Sequence, residues 1–332
     1  MSEPEDITQT PFPSFVRINV TTRCDAHCRH CDIWRTNGAP DMPEAAWAPV
    51  MRSISRWLGP VEIQIAGGEP LIAPAMPRLL TLASELFLPV GIATNGWHLD
   101  NEWAARMSAS KVYSVNFALD GFTALHDKMR GMPGAFQRVI EAAGRLAGLG
   151  VVRPRVTCVI MQGNLDQLLE FTEFVCRDLF DGIIFQALAW PFGSPPAPGW
   201  WEENPHWPAD LDHVGHVLGK LLEMKKRGLR VLNPDEQFEA MRAYFNHPEQ
   251  FTLSACTVGD TNISIEADGS VRLCPLEPAV GNVQAADLED IWYSAEAAAC
   301  RARMSRCRTN CHLLINCAFD ASRLTGGDGG GR

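Results

Sequence analysis

From residue 15 to about 230, short apolar runs alternate with longer stretches whose apolar residues recur at helical spacing. The runs Phe15–Val20, Val61–Ala66, Val90–Ala93, Val112–Leu119, Val156–Met161 and Gly182–Ala187 read as strands. The stretches at about 43–58, 74–88, 100–109, 134–149 and 165–180 read as helices. Strands that alternate with helices imply β-α-β units and a parallel sheet. Six such units predict an α/β fold, a partial (β/α)6 barrel of TIM-like type, with its chemistry at the C-terminal ends of the strands.

The unusual residues fall where that rule would gather them. Cys24, Cys28 and Cys31 follow the first strand, Gly67–Pro70 the second and Thr94–Gly96 the third. Asp120–Gly121 follows the fourth and Asn164 the fifth. After the sixth comes WPFGSPPAPGWWEENPHWP, residues 190–208, with four tryptophans. It is either a poorly ordered excursion or a lid, since tryptophans are unfavourable to leave in water. Helical patterns at about 209–227 and 234–246 lead to a hairpin with Asp268-Gly269 as its turn. The division this predicts is an N-terminal arm (1–14), a barrel (15–230), a cysteine-rich extension (231–320) and a disordered Gly-rich tail (321–332).

Charge and composition narrow the partners. The 332 residues carry a formal net charge of −10, which argues against a nucleic-acid footprint and against docking on anionic membranes. No apolar run reaches the roughly 18 residues of a membrane span, and the acidic N-terminus does not read as a secretory signal. The expected compartment is therefore the cytoplasm, where thiols stay reduced and eleven cysteines point to metal or redox chemistry.

The first cluster of cysteines reads CDAHCRHC, Cys24-x3-Cys28-x2-Cys31. Three thiolates on one loop can hold three corners of a four-iron cluster, leaving the fourth iron open to a ligand. A zinc knuckle with His27 or His30 as fourth ligand is the alternative, but zinc pairs usually come as two C-x2-C units with longer gaps. The spacing resembles the signature of the radical S-adenosylmethionine (SAM) superfamily. Ala66-Gly67-Gly68-Glu69-Pro70 matches that family's GGEP motif, whose backbone faces the amino group of SAM. Thr94-Asn95-Gly96 matches its TNG turn, Asn116-x3-Asp120-Gly121 resembles its fourth-strand segment, and His126-Asp127-x2-Arg130-Gly131 recurs in many members. The resemblance spans about residues 14–190. It implies a SAM-binding 4Fe-4S cluster on Cys24, Cys28 and Cys31. It also implies cofactor contacts at Gly67, Gly68, Glu69, Pro70, Thr94, Asn95, Asn116 and Asp120, Asp120 also being a catalytic candidate. The expected chemistry is reductive cleavage of SAM to a 5′-deoxyadenosyl radical, with electrons from a flavodoxin- or ferredoxin-type donor. A side chain at Gly68 would fill space the cofactor needs; Gly68→Val is expected to weaken SAM binding and leave iron content intact.

Cys256, Gly269-x4-Cys274, Gly281-Asn282, Ile291-Trp292 and Cys307-x3-Cys311-x5-Cys317 resemble, in that order, the SPASM and twitch extensions that carry auxiliary clusters. The departures are a first gap of x3 and the absence of a cysteine after Cys317. Six cysteines do not supply the eight ligands of two clusters, so one auxiliary 4Fe-4S cluster is expected, on Cys256, Cys274 and two of Cys307, Cys311 and Cys317. A structural zinc on the same residues is the rival. Cys158 and Cys176 read as core, with Cys158 alternatively a thiol hydrogen donor to a substrate radical.

Three function classes follow. The first is net oxidation of a small molecule, the auxiliary cluster taking the second electron. The second is modification of a ribosomally made peptide, by thioether formation, carbon–carbon cross-linking or epimerisation. The third is a non-enzymatic metal-binding module. Only about 14 residues precede the first strand, which favours a small substrate over a peptide read by a leader-binding domain.

Overall fold

The computed structural model describes residues 12–36, 40–150, 152–194, 197–250 and 256–320. The Gly-rich tail and most of the N-terminal arm lie outside these. The barrel runs β1 (Phe15–Thr21), α1 (Trp47–Leu58), β2 (Glu62–Gly67), α2 (Met76–Glu85), β3 (Val90–Thr94), α3 (Asn101–Ala109), β4 (Ser114–Ala118), α4 (Thr123–Arg130), α5 (Ala135–Leu149), β5 (Arg153–Ile160), α6 (Leu168–Val175), β6 (Gly182–Ala187) and α7 (Leu211–Lys226). The extension adds α8 (Asp235–Asn246), α9 (Val258–Thr261), β7 (Asn262–Ile265), β8 (Ser270–Arg272), β9 (Gly281–Asn282), α10 (Leu288–Trp292) and α11 (Ala295–Met304). Among the described residues no helix is long and apolar enough to cross a membrane.

The strands alternate instead of running uniformly apolar. In β1, Val16, Ile18 and Val20 are buried against the helices, while Arg17 and Asn19 take the other face. On that inner face Ala66, Ala93 and Ala118 end their strands with short side chains and leave room above them. Within the barrel, the helix missing from the sequence reading is α4: eight residues, mostly polar, beginning two residues after Gly121. Loop 190–208 is folded where it is described. The Trp200 and Trp207 rings lie 5.4 Å apart, and Trp207 packs 5.1 Å from Phe245 of α8.

The sheet order is β6-β5-β4-β3-β2-β1-β7-β8-β9, with β1 to β6 and the β1–β7 pair parallel. The sheet is therefore an open barrel, and the predicted hairpin extends it beyond β1 instead of standing apart. The other edge, β6, would expose unpaired amides and carbonyls. Two asparagines cover it. Asn233 accepts from Phe185 N (2.7 Å) and donates to Phe185 O (2.9 Å). Asn316 does the same at Ala187, at 2.8 and 2.9 Å. The extension thus grips both edges of the barrel. Asn316→Ala would leave two buried backbone groups unpaired and should cost about 2–6 kcal/mol, read by urea denaturation. An unchanged midpoint would mean the amide carries none of this edge.

Candidate functional site

The cysteine loop leaves β1 and is clamped on both sides. His27 N and Arg29 N donate to Arg130 O and Met129 O, both at 2.9 Å, at the end of α4. Asp32 N donates to Phe192 O (2.7 Å) in the loop after β6. Within the loop the backbone turns back on the sulfurs: Cys24 accepts from the N–H of Ala26, and Cys31 from that of Ile33. Cys28 Sγ faces Arg130 Nη1 at 3.5 Å instead. Burial raises the Cys24 thiol to about 12 and the Cys31 thiol to about 11.

Gly68 N donates to Thr21 O (2.8 Å) and Glu69 N to Arg23 O (2.9 Å), so the end of β2 lies hard against the start of the cysteine loop. The carboxylate of Glu69 is buried and accepts from Leu71 N (3.0 Å), Thr94 Oγ1 (2.7 Å) and Asn95 N (2.8 Å). It brackets the Thr94–Gly96 turn to the GGEP loop. Asn95 in turn donates to Asp25 Oδ1 (2.9 Å), whose other oxygen lies 2.7 Å from His98 Nε2.

Burial outweighs the three donors and pushes Glu69 from its ordinary 4.5 up to about 7. A raised carboxyl binds its proton more tightly in the folded chain. Its contribution to stability is complete below about pH 4.5 and is lost as pH rises towards 7. The cluster-free protein should therefore lose stability across that window, and Glu69→Gln should flatten that part of a melting-temperature profile. A profile of equal slope in the variant would assign the titration elsewhere.

These elements enclose a cavity of about 230 Å³. Cys24, Cys28, Cys31, Gly67, Gly68, Glu69, Thr94 and Asn95 line it, so the structure brings these candidate residues to one place. Pro70 is buried behind the loop, and Asn116 and Asp120 are not in the wall. Asp120 is fully buried and holds Arg130 Nη2 at 2.7 Å; burial would raise its carboxyl, but the guanidinium of Arg130, with His30 and His126, holds it low. Arg130 does line the cavity, and its Nε is buried with no partner. Asn164 is also structural, donating to Asp120 O (2.9 Å) and Val159 O (2.7 Å). Cys158 alternates with Thr157 and Val159 on β5. Those two line the cavity, while Cys158 is fully buried on the helix-facing side.

The C-terminal cysteines gather in a second place. The thiol of Cys274, raised to about 11 by burial, has Cys256, Cys307 and Cys300 as charge neighbours. That of Cys311, raised to about 12 by burial, has Cys274 and Cys256. The same sulfur-directed turns recur here, from Leu276 N to Cys274 (3.3 Å) and Thr309 N to Cys307 (3.5 Å). Cys317 lies apart, its sulfur 3.8 Å from Arg17 Nη2. The residue is exposed, yet desolvation at its sulfur would raise the thiol; His312 and Arg17 outweigh this and bring it down to about 6. Cys307 and Cys311 thus share charge neighbours with Cys256 and Cys274, as Cys300 does, while Cys317 meets Arg17 and His312. His312, directly after Cys311, lines the first cavity with Phe192, the two rings 4.6 Å apart.

Both groups suit a four-iron cluster. Each presents thiols with backbone N–H groups aimed at sulfur, and hydrogen bonds of that kind tune such clusters. Among the described residues no three His, Cys, Asp or Glu groups converge as one metal ion would require. A cubane instead spreads its cysteines over separate irons. Arg130 Nε is a buried donor without a partner, on a residue that lines the first cavity together with Gly67 and Gly68.

Comparison with known proteins agrees with this layout. Residues 18–175 match the model of the radical SAM superfamily, and residues 256–317 that of an iron–sulfur cluster-binding domain, SPASM. The AdoMet-dependent heme synthase of Methanosarcina barkeri is 25% identical over 309 residues, 87% of this chain and 85% of its own. The sporulation killing factor maturation protein SkfB of Bacillus subtilis is 25% identical over 304 residues, 90% of this chain and 69% of its own. The structure of Streptococcus suis SuiB bound to S-adenosylmethionine superposes with a TM-score of 0.69 at 18% identity, over 92% of this chain and 72% of that one.

Proposed function

Because the chain belongs to the radical SAM enzymes that carry a SPASM region, and so uses SAM and 4Fe-4S clusters, we propose that it catalyses a net two-electron oxidation of its substrate. We assign the SAM-binding cluster to Cys24, Cys28 and Cys31, and one auxiliary cluster to Cys256, Cys274, Cys307 and Cys311. When bound, these groups supply a 5′-deoxyadenosyl radical in the cavity and an electron acceptor beside it. The chain's own residues arrange the rest. The Gly67–Gly68 backbone takes the methionyl end of SAM. Arg130, held by Asp120, would offer its guanidinium to the carboxylate of SAM. Trp190, Phe192 and His312 close the mouth against water.

The observation that carries the oxidative reading is the shared wall: His312, next to Cys311, lines the same cavity as the first cysteine loop. A radical formed there has an outlet for its second electron nearby, whereas the thiol an epimerase would need, Cys158, faces the helices. Turnover in deuterium oxide tests this. The expected product is two hydrogens lighter than substrate, with one 5′-deoxyadenosine per product and no effect of Cys158→Ala on that stoichiometry. Product of unchanged mass carrying solvent deuterium would overturn it.

For the substrate, a small molecule is the first reading, supported by the likeness to a heme synthase along most of both chains. A peptide is the second, favoured by the likeness to SkfB, named for the maturation of a killing factor. Co-expression with any short reading frame beside its gene, followed by peptide mass analysis, separates the two.

A further inference from the structure

Each turnover of the reaction proposed above takes one low-potential electron from an outside carrier to cleave SAM, and the one electron that the auxiliary cluster gains from the substrate radical returns to the oxidised carrier; the following inference rests on that reading. On a protein of net charge −10, the surface beside the first cysteine loop is locally positive. Arg29 directly follows Cys28, and its backbone bond to Met129 O (2.9 Å) sets it next to Lys128. Both side chains are exposed, and among the described residues neither has a salt-bridge partner. Both also depress the imidazole of His206, from the loop after β6, after burial as the larger cause, so the three groups share one patch.

The neighbouring charges do not cancel it. Arg23 is answered by Asp41 at 2.8 Å and Arg35 by Asp32 at 3.3 Å. Two further carboxylates near them in sequence are also engaged: Asp25 with His98 and Asn95, Asp127 with the backbone N–H groups of Gly134 and Phe136. Arg29, directly after Cys28, and Lys128 therefore stand as two cations without a salt-bridge partner among the described residues.

We propose that this Arg29–Lys128 face is the docking site for an acidic, low-potential electron-carrier protein. An acidic carrier is repelled by most of this surface. A small positive patch then selects the orientation of encounter as well as raising its rate. The orientation selected brings the carrier against the one loop through which an electron has the shortest path to Cys28. Arg29 suits the task because a guanidinium is always charged and is weakly hydrated at an interface.

The test uses the reconstituted holoenzyme with two probes, a bacterial flavodoxin and a bacterial ferredoxin. In Arg29→Glu/Lys128→Glu, the Kd for the carrier that the wild type binds, measured by calorimetry, should rise at least tenfold. Its KM in carrier-driven SAM cleavage should rise in parallel; in Lys128→Glu alone, outside the cysteine loop, that KM should also rise while dithionite-driven cleavage stays at the wild-type rate. Raising ionic strength from about 50 to about 300 mM should weaken wild-type binding far more than that of the variant. Arg29→Gln/Lys128→Gln should fall between the two, and serves if the reversal variant does not fold. Equal carrier affinity in wild type and variants, or binding of neither carrier by a wild type that cleaves SAM with dithionite, would overturn the docking site. A wild type that fails to cleave SAM even with dithionite would instead overturn the functional reading.

Discussion

Replacing Cys24, Cys28 and Cys31 together with alanine should abolish 5′-deoxyadenosine formation under dithionite, yet leave a brown protein with about four irons and four sulfides per chain. The first half follows from the cavity. All three thiols line it, and no other cysteine does. The retained iron follows from the separation of the two cysteine groups. Cys274 has Cys256 and Cys307 as charge neighbours, Cys311 has Cys274 and Cys256, and none of these four lines the first cavity. Their elements are also fixed independently of the first loop, through the β1–β7 pairing and the Asn316 clasp on β6. The loss of activity should exceed a thousandfold, since without the radical no slower route to the product remains. Undiminished SAM cleavage would reject the first assignment. A colourless variant containing zinc would reject the second.

The sequence made the barrel legible because alternating runs and the period of the helices reported its units directly. The β4 and β5 ends moved by two or three residues, and α4 escaped because eight largely polar residues carry little periodic signal. Motif spacing located the cavity wall well at Cys24–Cys31, Gly67–Glu69 and Thr94–Asn95. It misplaced Asp120, since a carboxylate after a strand reads alike whether it meets a ligand or, as here, a buried guanidinium. The residue that does reach the cavity is its partner Arg130, ten positions on. His312 had no signal of its own beyond adjacency to Cys311, because its place in the first cavity depends on how the extension folds back over β6. The choice among Cys307, Cys311 and Cys317 was likewise a question of three-dimensional placement. The spacing allows any two, while the π-helical turn Leu313–Cys317 carries the last sulfur away towards Arg17.

Gly68→Val is the point where geometry changes an expectation as well as filling it in. From the sequence, a side chain there should obstruct SAM and spare the iron. In the structure a Cβ at Gly68 would stand 2.1 Å from Arg23 O, 2.6 Å from Arg23 C and 3.0 Å from Thr22 O. All three are backbone atoms, so no rotamer change relieves the contact, and the chain itself must move. Arg23 immediately precedes Cys24, and the Glu69 N–H bond to Arg23 O ties the two loops together. Moving one therefore displaces the first ligand. Gly68→Val should lower SAM affinity at least tenfold and also reduce iron from about eight to about four per chain. Gly148→Ala is the matched control: it lies in α5 with nothing within 4 Å of its added Cβ, and it should change neither quantity. Equilibrium dialysis with SAM and an iron assay on the same reconstituted samples decide the matter. Full iron with weakened SAM binding would restore the simpler view, in which Gly68 serves the cofactor alone. Loss of both would establish that the glycine holds the cysteine loop in place.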